Sequence, residues 1–401
     1  MSSTAATAPG SHKARFGVVF LTIFLDLFGF GMIIPLLPFY GERFGANAFQ
    51  VGLLFASYSL AQFVCAPLWG RLSDRVGRRP VLLFSISGSV VAYALFAAAP
   101  TLAMLFLART AAGIMAANYS IAQAYVADIT TPAERAKGMG WVGAAFGMGF
   151  VLGPAAGGLI GQISFAAVPA AASALALVNL GLAFILLPES LPPEARRRGA
   201  ARRGIEVFLP LSVVRGRPIL SRLLTLYFVV IFCFAVMETT LALFCERRFG
   251  FGPRETAYLL TYVGLLMATI QASLLGPLVR RFGERPLAAA GMAGIALGLL
   301  LLPAPSMAAL LTGATLLAVG NSLYNPTSLG LISRWSDPGQ QGTTMGLSRS
   351  LGALGRVLGP VCGGWTFYHL GPAWPFWTAG GLLALALPPA VAMLRRAQPP
   401  V

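Results

Sequence analysis

Two acidic residues, Asp26 and Glu238, lie deep inside long apolar runs, while the rest of the chain's 13 acids stand at or beyond the ends of such runs. A carboxylate held away from water is costly. Burial favours its neutral form and a nearby cation favours its charged form. A group under both influences can take up a proton and release it when its surroundings change. Arg109, in the fourth apolar run, falls at a depth broadly similar to that of Asp26. Facing Asp26, it would make a proton-coupling pair that loosens when Asp26 is protonated. The same two charges would also serve as a static tie between two helices, since buried pairs are often structural. Glu238 has Arg356, in the eleventh run, as its expected partner. Three readings are open for it: a site for a substrate cation, a second proton site, or a packing pair. Arg349 lies one to two turns inside its run and can snorkel to the inner face. His12 and His369 are the only histidines. No P-loop, His-rich metal cluster or nucleophile triad is present, so no catalytic residue, metal or cofactor is expected, and a proton gradient rather than ATP is the expected energy source.

Charges at that depth need a scaffold of membrane dimensions. The chain has 401 residues, 57% of them hydrophobic and 10% charged, with a mean hydropathy of +0.75. A soluble protein of this length needs a charged surface that this composition does not supply. A span takes about 20 mostly apolar residues. Twelve such blocks are predicted, near 16–38, 51–69, 80–98, 102–125, 138–160, 164–187, 222–244, 255–277, 286–303, 306–332, 342–366 and 373–393. The expected fold is an all-α membrane protein of twelve transmembrane helices. The expected divisions are an N-terminal tail (1–15), a six-helix half (16–188), a basic linker (189–221), a second half (222–394) and a C-terminal tail (395–401).

The net charge of +16 would point to nucleic acid in a soluble protein. Its distribution points elsewhere. With residue 1 in the cytoplasm, four of the 29 Lys and Arg (Arg43, Arg247, Arg248, Arg254) fall outside and three (Arg109, Arg349, Arg356) within spans, leaving the remainder inside. That asymmetry is the positive-inside rule, with both termini cytoplasmic and the lipid bilayer as the partner. The linker carries Arg196, Arg197, Arg198, Arg202, Arg203, Arg215 and Arg217; it reads as a solvated segment or one that touches anionic head groups. The four cysteines lack metal spacing and read as small apolar packers.

A shift of 206 residues superposes a series of marked positions. Gly70, Gly77, Arg79 and Pro80 fall on Gly276, Gly283, Arg285 and Pro286. Gly140, Gly149, Gly153, Pro154, Gly157 and Gly158 fall on Gly346, Gly355, Gly359, Pro360, Gly363 and Gly364. The chain is a parallel duplication, an architecture of secondary transporters in which substrate binds between the halves near the midplane.

The joint after the second block reads Gly70-Arg-Leu-Ser-Asp74-Arg75-Val-Gly77-Arg78-Arg79-Pro80. It resembles the signature loop of the major facilitator superfamily. The first block, Asp26-Leu-Phe-Gly-Phe-Gly-Met-Ile-Ile-Pro35-Leu-Leu-Pro38, and the stretch Ala124-Tyr-Val-Ala-Asp128-Ile-Thr-Thr-Pro132 resemble the drug/proton antiporters of that superfamily, of the tetracycline-resistance and multidrug type. Two departures stand out. Ala92 occupies a position where tetracycline exporters carry an acid, and Arg280 in the second loop replaces Asp74 of the first.

The resemblance implies an exporter of small amphipathic molecules in the inner membrane, driven by protons through alternating access, for which a monomer would suffice. Proton-coupled uptake or export of a sugar or other metabolite is the alternative. It implies that Gly70, Asp74, Arg75, Gly77, Arg78 and Asp128 form a cytoplasmic gate, with Asp74 bonding the start of the eleventh helix and Arg78 pairing with Asp128. It also implies an antiporter motif at Gly140, Gly149, Gly153, Pro154, Gly157 and Gly158, which seals against leak. The recurrence of that spacing in the eleventh helix leaves plain close packing open as well. From the residues themselves, Gly70 and Gly77 are expected to turn the chain between helices. Gln62, Asn118, Tyr119, Gln123, Gln271, Asn321 and Asn325 are the expected polar lining of a cavity.

Overall fold

Away from water a helix satisfies its own backbone, so apolar runs of membrane length become helices. The computed structural model describes residues 9–116, 118–131, 134–191, 211–337 and 339–396. The first half holds α1 (Pro9–Ile33), α2 (Leu37–Arg43), α3 (Ala48–Val76), α4 (Arg78–Ala97), α5 (Leu102–Met115), α6 (Asn118–Ile129), α7 (Arg135–Ile160) and α8 (Ala167–Leu186). The second holds α9 (Pro218–Phe249), α10 (Pro253–Thr269), α11 (Leu275–Phe282), α12 (Glu284–Leu301), α13 (Met307–Arg334), α14 (Gln341–Leu370) and α15 (Trp374–Arg396). Residues Arg196, Arg197, Arg198, Arg202 and Arg203 of the expected linker lie outside the described residues.

Some spans are built from two pieces. A 3-10 turn at Ile34–Leu36, around Pro35, joins α1 to α2. The fourth span breaks after Met115 into α5 and α6. A π-helical turn at Ile270–Leu274 joins α10 to α11. Eleven spans among the described residues are long and apolar enough to cross a membrane. The twelfth, α14, has 30 residues, about 45 Å of helix, and carries Arg349 and Arg356.

Within each half the same seam recurs. Gly149, Gly153 and Gly157 of α7 lie against Leu27, Gly31 and Met32 of α1, and Gly355, Gly359 and Gly363 of α14 lie against Ile231, Ala235 and Val236 of α9. The partners on α9 follow those on α1 by 204 residues rather than 206, so the repeat slips by two between the first and seventh spans. Gly77 (φ 120°) and Gly283 (φ 79°) make the equivalent reversals, a backbone region that glycine enters without steric cost. The expectation for Gly70 needs correcting. Residue 70 is helical, because α3 continues to Val76 and Gly77 alone makes the turn.

The end of the bundle bearing Gly77 and Gly283 is here called the basic end. The halves meet toward the opposite end, where α3 packs on α14 and α7 on α10. Gly52 abuts Pro360 and Gly364, and Gly158 abuts Ala257. Arg247 pairs with Glu42 across this seam at 3.7 Å. Toward the basic end they part. Cβ atoms at Gly70, Gly140, Gly143, Gly147, Gly342 and Gly346 would meet nothing within 4 Å. The space between the halves is open at the basic end.

Candidate functional site

Asp26 lies in the C-terminal part of α1 and accepts a hydrogen bond from Asn118 Nδ2 at 2.7 Å. Asn118 is the first residue of α6, so the break in the fourth span aims it at α1. A broken helix leaves carbonyls unsatisfied, and three side chains meet them. Trp69 Nε1 donates to Ile114 O at 2.6 Å, Gln62 Nε2 to Ala116 O at 3.2 Å, and Ser85 Oγ to Met115 O. The Gln62 amide is thus committed to holding the break.

The structure separates Asp26 from Arg109: no ion pair joins them among the described residues. Arg109 is 2% exposed and its guanidinium stacks over Tyr58, 4.5 Å from the ring centre, with Phe30 at 5.9 Å. Cation–π contact with two rings holds it, while the nearest hydrogen-bonding partner of Asp26 is a neutral amide. Tyr58 thus carries the Arg109 guanidinium on its ring face. Sequence gives no signal for Tyr58, since a tyrosine in an apolar run looks like any packing aromatic.

In the second half, Glu238 on α9 and Arg356 on α14 stand on helices that pack together, but no ion pair or hydrogen bond joins them. Glu238 is partly exposed and Arg356 exposed, although both stand mid-span. Arg349 is exposed two turns nearer the basic end. Asn321 is buried. Gln123 and Asn325 each keep a buried carbonyl oxygen without a partner, and Gln271 is exposed on the π turn. Among the described residues no hydrogen bond ties these four to the ionisable groups.

At the basic end Arg78 is a hub. Its Nη1 meets Asp74 at 2.5 Å and Ser73 Oγ at 2.7 Å, and its Nε meets Asp128 at 3.0 Å. Glu189, just past α8, accepts from the backbone N–H groups of Arg78 and Arg79 at 2.9 and 3.3 Å. A carboxylate here complements the start of α4. Arg75 is exposed beside this cluster. Asp74 makes its ion pair within its own half, and the first turn of α14 has no side-chain cap.

The second half carries the same cluster with its signs exchanged. Positions 206 residues beyond Asp74, Arg78 and Asp128 are Arg280, Glu284 and Arg334. Arg334 binds Glu284 in bidentate fashion, at 3.1 and 3.2 Å.

Of the glycine set in α7, Gly149, Gly153 and Gly157 serve the α1 seam, Gly158 serves the α10 seam, and Gly140 faces open space. Pro154 lies within the helix beside Gly153. The matching set in α14 packs in the same way.

Two duplicated helical halves that meet at one end and part at the other have the architecture of a membrane transporter. A protein-family model of the Major Facilitator Superfamily matches residues 19–281 and 249–401, and the chain belongs to that family. It is 35% identical over 379 residues to the class C tetracycline resistance protein of Escherichia coli, covering 93% of this chain and 95% of that one. It is 31% identical over 430 residues to major facilitator superfamily domain-containing protein 10 of Mus musculus, covering 94% and 92%. The crystal structure of the human organic anion transporter MFSD10 (TETRAN) superposes with a TM-score of 0.74 at 30% identity, covering 97% of this chain and 100% of that chain. The chain is therefore a multi-pass membrane transporter.

Proposed function

We propose that this transporter exports small amphipathic organic molecules in exchange for protons, with Asp26 as the proton carrier. The observation that carries the reading is the setting of Asp26: mid-span, bonded to a neutral amide and, among the described residues, without an ion pair to a cation. A carboxyl so placed exchanges protons with whichever side has access, and its charge biases the two arrangements of the halves. The likeness to a tetracycline resistance protein supports export of drug-like substrates. The asymmetry of Lys and Arg supports a cytoplasmic basic end with both termini on that side, in the inner membrane. The contacts within each half need no second copy, in keeping with a monomer. In the state closed at the basic end, Asp74 bonds the start of α14, where the helix terminus attracts a carboxylate.

The test uses everted membrane vesicles with an acidified interior and a pH-sensitive dye. Tetracyclines, cationic dyes, fluoroquinolones, phenicols and sugars are added in turn, with Asp26→Asn as control. Dye recovery on adding one class, absent in the variant, is the expected result. Recovery in both proteins moves the coupling site away from Asp26. No recovery with any compound, with folded protein present, turns the reading toward uptake.

A further inference from the structure

Glu238 and Arg356 are opposite charges on neighbouring helices, and neither has a hydrogen bond or ion pair among the described residues. Two such groups left in a membrane interior would ordinarily close on each other, since an unpaired charge there is expensive. The fold does not need them. The position equivalent to Arg356 in the first half is Phe150, which stacks on Phe146 at 4.6 Å and leans on Phe30 at 6.0 Å. The position equivalent to Glu238, taken along the α1 and α9 seams, is Ile34, buried at 8% exposed. One copy of the duplicated scaffold fills these places with apolar packing, and the other holds two charges apart. Arg356 Nη1 stands 3.9 Å from where a Cβ on Gly352 would lie, at the place where α14 meets Tyr227 of α9.

We propose that Glu238 and Arg356 form a substrate site for a zwitterion, with Arg356 taking a carboxylate and Glu238 a protonated amine of the same small amphipathic molecule. Arg supplies a planar fork that matches a carboxylate, and Glu supplies two acceptor oxygens for an ammonium. The bound molecule neutralises both groups at once, which neither a simple cation nor a simple anion does. Phe30, Tyr58 and Phe150 pack against one another in the first half, and aromatic rings of this kind suit an apolar body. Arg349, two turns toward the open end on the same helix, offers an anionic group its first contact. The inference rests on the transport reading above but does not depend on which residue carries the proton.

The experiment measures binding to the purified full chain in nanodiscs, by equilibrium dialysis, with no proton gradient. The probes are two matched sets: phenylalanine, its methyl ester and its N-acetyl form; and ciprofloxacin, its ester and its N-acetyl form. In at least one set the zwitterion should bind tenfold or more tighter than either singly charged analogue. Arg356→Gln should weaken the zwitterion and the N-acetyl acid by about tenfold, the scale of one charge-assisted hydrogen bond, and spare the ester. Glu238→Gln should weaken the zwitterion and the ester and spare the acid. Equal weakening of all three analogues means a packing pair and overturns the proposal, as does the absence of zwitterion binding in both sets with protein that melts normally. Loss of proton exchange in vesicles with this binding pattern intact would refute the coupling mechanism and leave the zwitterion site standing.

Discussion

Glu284 and Arg334 form the ion pair that Arg78 and Asp128 form 206 residues earlier, with acid and base exchanged. The backbone frame at the basic end therefore accepts either polarity. Arg78→Glu alone would place like charges together in a site where Arg78 is 8% exposed. It should cost about 3 kcal/mol, the scale of a broken, largely buried pair. The triple variant Asp74→Arg, Arg78→Glu, Asp128→Arg copies the second half's arrangement and should recover most of that loss. Thermal melts of the purified variants check this. A triple variant no more stable than the single one would mean that the two frames are not equivalent.

The Asn118–Asp26 contact depends on the break in the fourth span. Asn118→Leu should leave the fold intact, because the break is held by Trp69, Ser85 and Gln62. It should slow proton-coupled export severalfold in vesicles. Export at the parental rate would show that Asp26 works without its amide partner.

The glycines of α7 should separate into two kinds. A Cβ on Gly153 would stand 2.8 Å from Gly31 Cα, so Gly153→Ala should destabilise the protein by about 1–3 kcal/mol, as overpacking does. Gly140 faces open space. Gly140→Leu should melt like the parent yet transport poorly if the basic end must close over it. Matching behaviour of the two variants in both assays would contradict this division.

The seam at the opposite end carries Arg247 on Glu42, with Glu246 beside Glu42 and its Oε2 buried without a partner. Cys245 next to them is fully buried. In a chain keeping only this cysteine, Arg247→Ala should speed its labelling by a membrane-impermeant maleimide applied from that side. Unchanged labelling would show that the pair does not hold the seam.

The spans, the duplication and the charged residues of the core were legible because each has a one-dimensional signature: apolar length, constant offset, or a charge where none belongs. Pairing was not. Asp26 and Arg109 share a depth, but depth does not fix which way a side chain turns. Arg109 is taken by Tyr58 and Phe30, and Asp26 by a residue freed through a helix break that no proline or glycine marks at residues 115–118. The exchanged pair at Glu284 and Arg334 was readable at the same offset as the glycines, once opposite charges are counted as a match. Glu189 lay hidden because it accepts from backbone N–H groups, of Arg78, Arg79, Ser190 and Leu191, and sequence does not print those.

The seams between the halves are made of bare backbone at Gly52, Gly158 and Gly364. Interdigitated side chains would have to leave one set of rotamers and find another each time the halves rocked, with a loss of conformational freedom at each landing. Smooth surfaces have few rotamers to rearrange. The rocking motion should therefore carry a small activation entropy, and bulky residues placed along these seams would act as friction, slowing turnover without changing what is bound.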